Sequence, residues 1–130
     1  MRLSFWPDDA ANHAAEIDAC LSGKTENGVT LVAELPDGSL CGFLEVGTRP
    51  FADGCDSSPV GYIEGWWVDP AYRRQGVGTR LVAAAEAWAR ELGVIEMASD
   101  ADLANRPSRD AHAALGYIEV HELVCFRKVL

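Results

Sequence analysis

Residues 68–78 read Val-Asp-Pro-Ala-Tyr-Arg-Arg-Gln-Gly-Val-Gly, and the reading of this stretch decides the fold. Before it, Val60 to Val68 is an apolar, aromatic-rich run of strand type, ended by Asp69 and Pro70. After it, a helix is predicted from about Gly76 to Leu92, with Val77, Leu81, Ala84, Trp88 and Leu92 on one stripe. Arg73 to Gly78 therefore spell RxxGxG directly between a strand and a helix. Gly76 and Gly78 take side chains away where backbone must approach a ligand. The unpaired N–H groups of a helix start, at the positive end of its dipole, suit a pyrophosphate. Arg73, Arg74 and Arg80 add local positive charge. A bare glycine pair is also compatible with a simple tight turn, and its position between strand and helix is what favours the anion. Neither the triphosphate loop GxxxxGK[ST] nor the dinucleotide spacing GxGxxG is present, which removes both of those classes.

Working outward, Gly93 stops the helix and Val94 to Ala98 reads as a short strand. Strand, helix, strand implies a right-handed parallel crossover, and ligands favour the carboxyl ends of such strands. Ser108 is read as the cap of a final helix through Leu115, stopped by Gly116, with Tyr117 to Val120 and Val124 to Val129 as closing strands. In the other direction, Thr48 to Pro59 is polar, irregular and long enough for a binding loop. Val29 to Leu35 and Leu40 to Val46 should pair as a hairpin around Pro36, Asp37 and Gly38. Ala14, Ile17 and Leu21, after Pro7, Asp8 and Asp9 and before Gly23, predict a short amphipathic helix. The expected order is α, ββ, βαβ, αββ.

A chain of 130 residues is read as one domain, 1–130. Eleven Lys and Arg against 20 Asp and Glu give a net charge of -9, which opposes nucleic acid and anionic membrane as partners and favours cationic ones. No apolar run reaches the roughly 20 residues of a membrane span, and Met1 to Asp9 is no signal peptide. Cys20, Cys41, Cys55 and Cys125 form no CxxC pair and read as reduced, buried thiols of a cytoplasmic protein. His13, His112 and His121 lack metal-site spacing, so no metal is expected.

The RxxGxG turn, its preceding strand and Ala114-Leu115-Gly116-Tyr117 together resemble the GCN5-related N-acetyltransferase superfamily. The resemblance implies an α/β fold: a mixed twisted sheet, a splayed central parallel strand pair and flanking helices, with acetyl-coenzyme A as donor. It implies that Arg73, Arg74, Gln75, Gly76, Val77, Gly78 and Thr79 hold the pyrophosphate, chiefly by backbone amides. The strand at Trp66, Trp67 and Val68 would pair with pantetheine and place the thioester beside Glu64. Gly65 is compatible with a bulge that starts the splay. Asp53 to Val60 (DGCDSSPV), Tyr62 to Gly65 (YIEG), Glu96 to Asp100 (EMASD) and Cys125 to Lys128 (CFRK) look more narrowly like the aminoglycoside 6'-N-acetyltransferases, enzymes of antibiotic resistance. Such relatives carry a first strand before the position matching Trp6, so the sheet is expected to lack it. They commonly dimerise through their C-terminal region, which makes a homodimer the expectation.

The chemistry can also be read residue by residue. Acetyl transfer to an amine needs a neutral nucleophile, a base for its proton, a polarised thioester and a stabilised leaving thiolate. Glu64 interrupts an apolar strand, where a carboxylate is solvated, paired or working. With the resemblance, it is the candidate general base, acting through water. Asp100, just beyond the parallel strand, is either a turn cap or an acceptor ligand sharing that role. Asp53 and Asp56 could recognise ammonium groups or simply make turns. His112 stands four residues before Gly116, where many relatives place the tyrosine that protonates the coenzyme thiolate. Its imidazole is the candidate acid, with Tyr117 and Tyr62 as alternatives. Trp6 and Phe51 match aromatic positions lining the sugar site of the resembling family. Trp66 and Trp67, adjacent on a strand, should face opposite ways, and Trp88 is read as core. The expected reaction is direct attack by the 6'-amine of an aminoglycoside on acetyl-coenzyme A in a ternary complex. Transfer to another small polyamine or peptide amine, or a non-catalytic acyl-coenzyme A sensor, are the alternatives. Glu64 and Asp100 together argue against the sensor.

Overall fold

The computed structural model describes residues 2–3, 18–24 and 27–130. Trp6, His13 and most of the predicted first helix lie outside the described residues. Among the described residues six strands form one sheet in sequential order: β1 (Arg2–Leu3), β2 (Asp18–Lys24), β3 (Gly28–Glu34), β4 (Leu40–Arg49), β5 (Val60–Val68) and β6 (Met97–Ser99). All pairs are antiparallel except β5 with β6. The outer edge, where a first strand was expected to be missing, holds the two-residue β1 against Ala19 and Cys20.

The β3–β4 hairpin forms as predicted, its turn closed by Gly38 N–H on the Leu35 carbonyl at 2.9 Å. Residues 18–24, read as the end of a helix, are strand. Ala19 is buried and Leu21 packs on the core, an alternation of two. Pairing with β3, from Asp18 opposite Glu34 to Lys24 opposite Val29, overrides the local helical spacing.

Helix α1 (Val77–Glu91) lies against β2 to β5. It buries Val77, Leu81, Val82, Ala84 and Ala85 against Leu31, Leu44, Val46 and Ile63, and Ala89 is buried further along it. Trp88 packs on this core as expected, but Leu92 is 56% exposed because the helix has ended there. Residues 94–96, expected in the next strand, still serve the helix end and the approach to β6. Val94 N–H bonds to the Ala89 carbonyl at 3.1 Å, and the Glu96 carbonyl accepts from Gly61 N–H at 3.0 Å. Helix α2 (Arg106–Ala114) begins two residues before Ser108, because the side chain of Asn105 accepts the Ser108 N–H and caps it.

The expected closing strands at 117–120 and 124–129 do not form. Residues 117–130 pair with no described strand, and Ile118, Val124 and Phe126 are 82%, 75% and 92% exposed. Alternating apolar residues make a strand only where a partner edge supplies hydrogen bonds. Cys125 is exposed within this segment rather than buried. Cys41 is buried and Cys55 half-buried, and burial pushes both of those thiols up.

Candidate active site

Two irregularities in β5 build the site. The first is a bulge: Val46 pairs with Ile63 but Glu45 pairs with Gly65, so Glu64 is the extra residue with no place in the ladder. The bulge expected at Gly65 is therefore centred one residue earlier, on the acidic residue itself. The extra residue also changes which side chains face α1. Ile63 belongs to the core, and beyond the bulge it is Trp66 that turns to the helix while Trp67 stacks on Phe43 at 6.2 Å, 43% exposed. The second irregularity is the splay. Only Gly61, Tyr62 and Ile63 pair with β6, opposite Met97, Ala98 and Ser99, while β5 runs on to Val68. The cleft that opens has Glu64 and Trp66 on one lip and Ser99 and Asp100 on the other.

On the sheet face away from α1, Glu64 is held by Arg49 through both oxygens. Arg49 Nε donates to Oε2 at 2.9 Å and Nη2 to Oε1 at 2.6 Å. This pairing raises the Arg49 pKa further. The guanidinium carbon lies 3.5 Å from the centroid of the Tyr62 ring, a cation–π contact, and Tyr62 OH donates to Asp100 Oδ2 at 2.5 Å. Burial first, then the Asp100 hydrogen bond, push the Tyr62 hydroxyl up to about 12. Its hydroxyl proton is thus engaged by Asp100. The two carboxylates singled out in the sequence come together here as the ends of one chain, Glu64–Arg49–Tyr62–Asp100. No motif marks Arg49. Its role shows only once β4 is registered against β5.

The loop 50–59 borders this site. Glu96 ties it down, its Oε1 accepting from Asp56 N at 2.9 Å, Ser57 N at 2.7 Å and Ser57 Oγ at 2.6 Å. These hydrogen bonds lower the Glu96 pKa. Glu96 was not foreseen as a loop anchor. Phe51 is 76% exposed on this loop, and Asp53 and Asp56 are exposed as well.

On the α1 side of the splay, His112 sits edge-on between Trp66 and Tyr117, with centroids 5.2 and 5.9 Å away. Its Nδ1 is 2.7 Å from the Ser108 carbonyl, which can only accept, so Nδ1 carries the proton. In the neutral ring Nε2 then accepts from Ser99 Oγ–H at 2.8 Å. Ser99, unmarked in the sequence reading, is the group through which His112 reaches the cleft. Tyr117, the other alternative acid, donates to Glu86 Oε2 at 2.8 Å, and burial with that hydrogen bond raises its pKa.

The predicted anion turn lies at the far end of β5. Arg73 Nε donates back to the Val68 carbonyl at 2.9 Å and Gln75 Nε2 to Ala71 O at 3.3 Å, folding the turn on itself. Arg74 and Gly76 both have positive φ, 64° and 84°. Gly76 is the N-cap of α1, and no side chain caps that end. The first intrahelical bond is Arg80 N to Gly76 O at 3.0 Å, so the amides of Val77, Gly78 and Thr79 have no partner within the helix. A Cβ at Gly78 would lie 3.1 Å from Trp66 Cζ2, so the glycine also lets β5 approach the helix closely. These features fit a coenzyme pyrophosphate. Among the described residues no group of three His, Cys, Asp or Glu side chains is placed to hold a metal ion.

A bulged carboxylate, a splayed parallel pair and an uncapped glycine-led helix start define an acyl-coenzyme A-dependent N-acyltransferase site. The profile of the Acetyltransferase (GNAT) family matches residues 2–117, and the chain belongs to that family. It is 48% identical to the aminoglycoside N(6')-acetyltransferase type 1 of Klebsiella aerogenes, covering all of this chain and 87% of that protein. With the enzyme of the same name from Serratia marcescens it shares 38% identity, over all of this chain and 89% of that one. Among solved structures, aminoglycoside N-acetyltransferase AAC(6')-Iy in complex with CoA superposes with a TM-score of 0.77 at 36% identity, covering 82% of this chain and 79% of that one. The same enzyme with the bisubstrate analogue CoA-S-monomethyl-acetylneamine gives 0.76 at 36% identity, covering 82% and 72%.

Proposed function

We propose that this chain, acting as one domain, transfers acetyl from acetyl-coenzyme A to the 6'-amino group of aminoglycosides by direct attack in a ternary complex, conferring resistance. The observation that carries the reading is the joining of Glu64 and Asp100 at the mouth of the splay, one on each lip, in a chain similar over its full length to enzymes of that name.

Acetyl-coenzyme A supplies an activated acyl group as a thioester. The amides of Gln75 to Thr79, with Arg73 and Arg74, hold the pyrophosphate, and the edge of β5 at Trp66, Trp67 and Val68 that β6 leaves uncovered offers backbone to the pantetheine arm. Glu64 receives the acceptor amine's proton, directly or through water, and Asp100 binds the ammonium by a charge-assisted hydrogen bond. In its protonated form His112 donates Nε2–H to Ser99 Oγ, which frees the Ser99 hydroxyl proton to stabilise the leaving sulfur. Trp6 and Phe51 supply apolar walls for the sugar, with Asp53 and Asp56 binding outlying ammonium groups. The protein works in the cytoplasm as a homodimer, without nucleic acid or membrane. No helix among the described residues is long and apolar enough to cross a membrane. A homodimer is supported by segment 117–130, which pairs with no described strand and exposes Ile118, Val124 and Phe126. Light scattering should give twice the 14.0 kDa chain mass.

The test is release of coenzyme thiol with an aminoglycoside, with spermidine and with a peptide amine. The aminoglycoside should be preferred, and Glu64→Gln should lower kcat by about 10²- to 10⁴-fold with unchanged acetyl-coenzyme A affinity. Preference for spermidine or peptide, or full kcat in the variant, contradicts the assignment.

A further inference from the structure

We infer that Arg49 is a positioning residue of the acceptor site, its guanidinium fork setting the orientation in which the Glu64 carboxylate meets the acceptor amine. This rests on the reading of Glu64 as the proton-accepting group. The bulge leaves Glu64 out of the ladder, and its side chain is 43% exposed, so the strand alone does not fix its rotamer. The fork does, with one donor on each carboxylate oxygen at 2.9 and 2.6 Å. Arg49 is itself located by the Tyr62 face at 3.5 Å, and Tyr62 by its hydrogen bond to Asp100. Both acceptor carboxylates are thereby referred to one rigid framework built from β4, β5 and the end of β6.

The geometry leaves the site open to substrate. An ionised carboxylate offers about four lone-pair directions, and the fork takes one on each oxygen, leaving one on each for an amine or a water. The fixed guanidinium charge acts on the amine as well. A neighbouring cation disfavours an ammonium and favours the neutral amine that attacks. A lysine would supply the charge but, as a point donor on a flexible stem, not the fork.

The experiment compares Arg49→Met, Arg49→Lys and Arg49→Ala with the wild type in steady-state turnover and in acetyl-coenzyme A binding by calorimetry. Coenzyme affinity should be unchanged in all three, which also reports that each has folded. In Arg49→Met kcat should fall about 10- to 100-fold, the upper end being the cost of misplacing a reacting group by about an ångström. Arg49→Lys should recover only part of the loss, and added methylguanidine should restore turnover to Arg49→Ala. Unchanged kcat with a lower KM in Arg49→Met would overturn the inference, since Arg49 would then be a resident cation competing with the acceptor. A crystal structure of Arg49→Met with Glu64 unmoved would also overturn it, independently of turnover. If the wild type acetylates no aminoglycoside, the proposed function fails separately.

Discussion

Tyr62 shows how one side chain is committed to a role by its surroundings. Its ring carries Arg49 on one face, and its hydroxyl, pushed up to about 12, donates to Asp100. A phenol whose pKa in the folded protein lies above its unfolded value contributes stability that is fully present below about pH 10. That contribution is lost as pH rises through the folded value. Through the neutral and mildly alkaline range Asp100 therefore keeps its donor. Tyrosinate absorbance gives the check. Up to about pH 10, where an ordinary tyrosine is half ionised, Tyr62→Phe and the wild type should develop the same absorbance. A clear loss of signal in the variant over that range would show Tyr62 ionising normally and the Asp100 contact to be weak. The residues that chemistry alone could single out were those whose type is out of place locally, such as Glu64 in an apolar strand and Gly76 and Gly78 at a helix start. Arg49, Glu96 and Ser99 were not legible, because each gains its meaning from a partner on another strand or loop.

At the level of elements, β5 and α1 carry the site, and both were readable because their signals are local. Asp69 and Pro70 end the strand, Gly76 starts the helix in the left-handed region, and the apolar stripe of Val77, Leu81 and Ala84 faces the sheet. β2 was misread because Ala14, Ile17 and Leu21 have helical spacing, whereas the strand is defined by β3. The C-terminal strands were misread for the converse reason: their alternation is real, but no edge meets them. The start of α1 yields the sharpest prediction at this scale. In Gly78→Glu the new carboxylate favours the positive helix end, so α1 is retained. Its side chain occupies the anion site, and its Cβ crowds Trp66 at 3.1 Å. Calorimetry should show acetyl-coenzyme A binding severely weakened while circular dichroism is unchanged. Normal affinity in a folded variant would move the pyrophosphate elsewhere.

For the molecule as a whole, a net charge of -9 meets a polycationic acceptor, yet the coenzyme end collects Arg73, Arg74 and Arg80. On the proposed assignment the two substrates approach opposite signs of charge from the two ends of β5. The Debye length falls to about 8 Å at physiological ionic strength, and the exposed carboxylates Asp53, Asp56 and Asp100 are open to that screening. KM for tobramycin should accordingly rise with salt more steeply than KM for a monocationic amine. Equal slopes would argue against recognition by several carboxylates.

On the proposed function, this scaffold brings an acetyl thioester to one particular amine. This is tested most directly by mass spectrometry and NMR of products formed from acetyl-coenzyme A and two aminoglycosides that differ only in carrying an amine or a hydroxyl at the 6' position. A single acetyl group should appear on the 6' nitrogen of the first, and the second should not be acetylated. Acetylation of both at a shared amine would contradict that function.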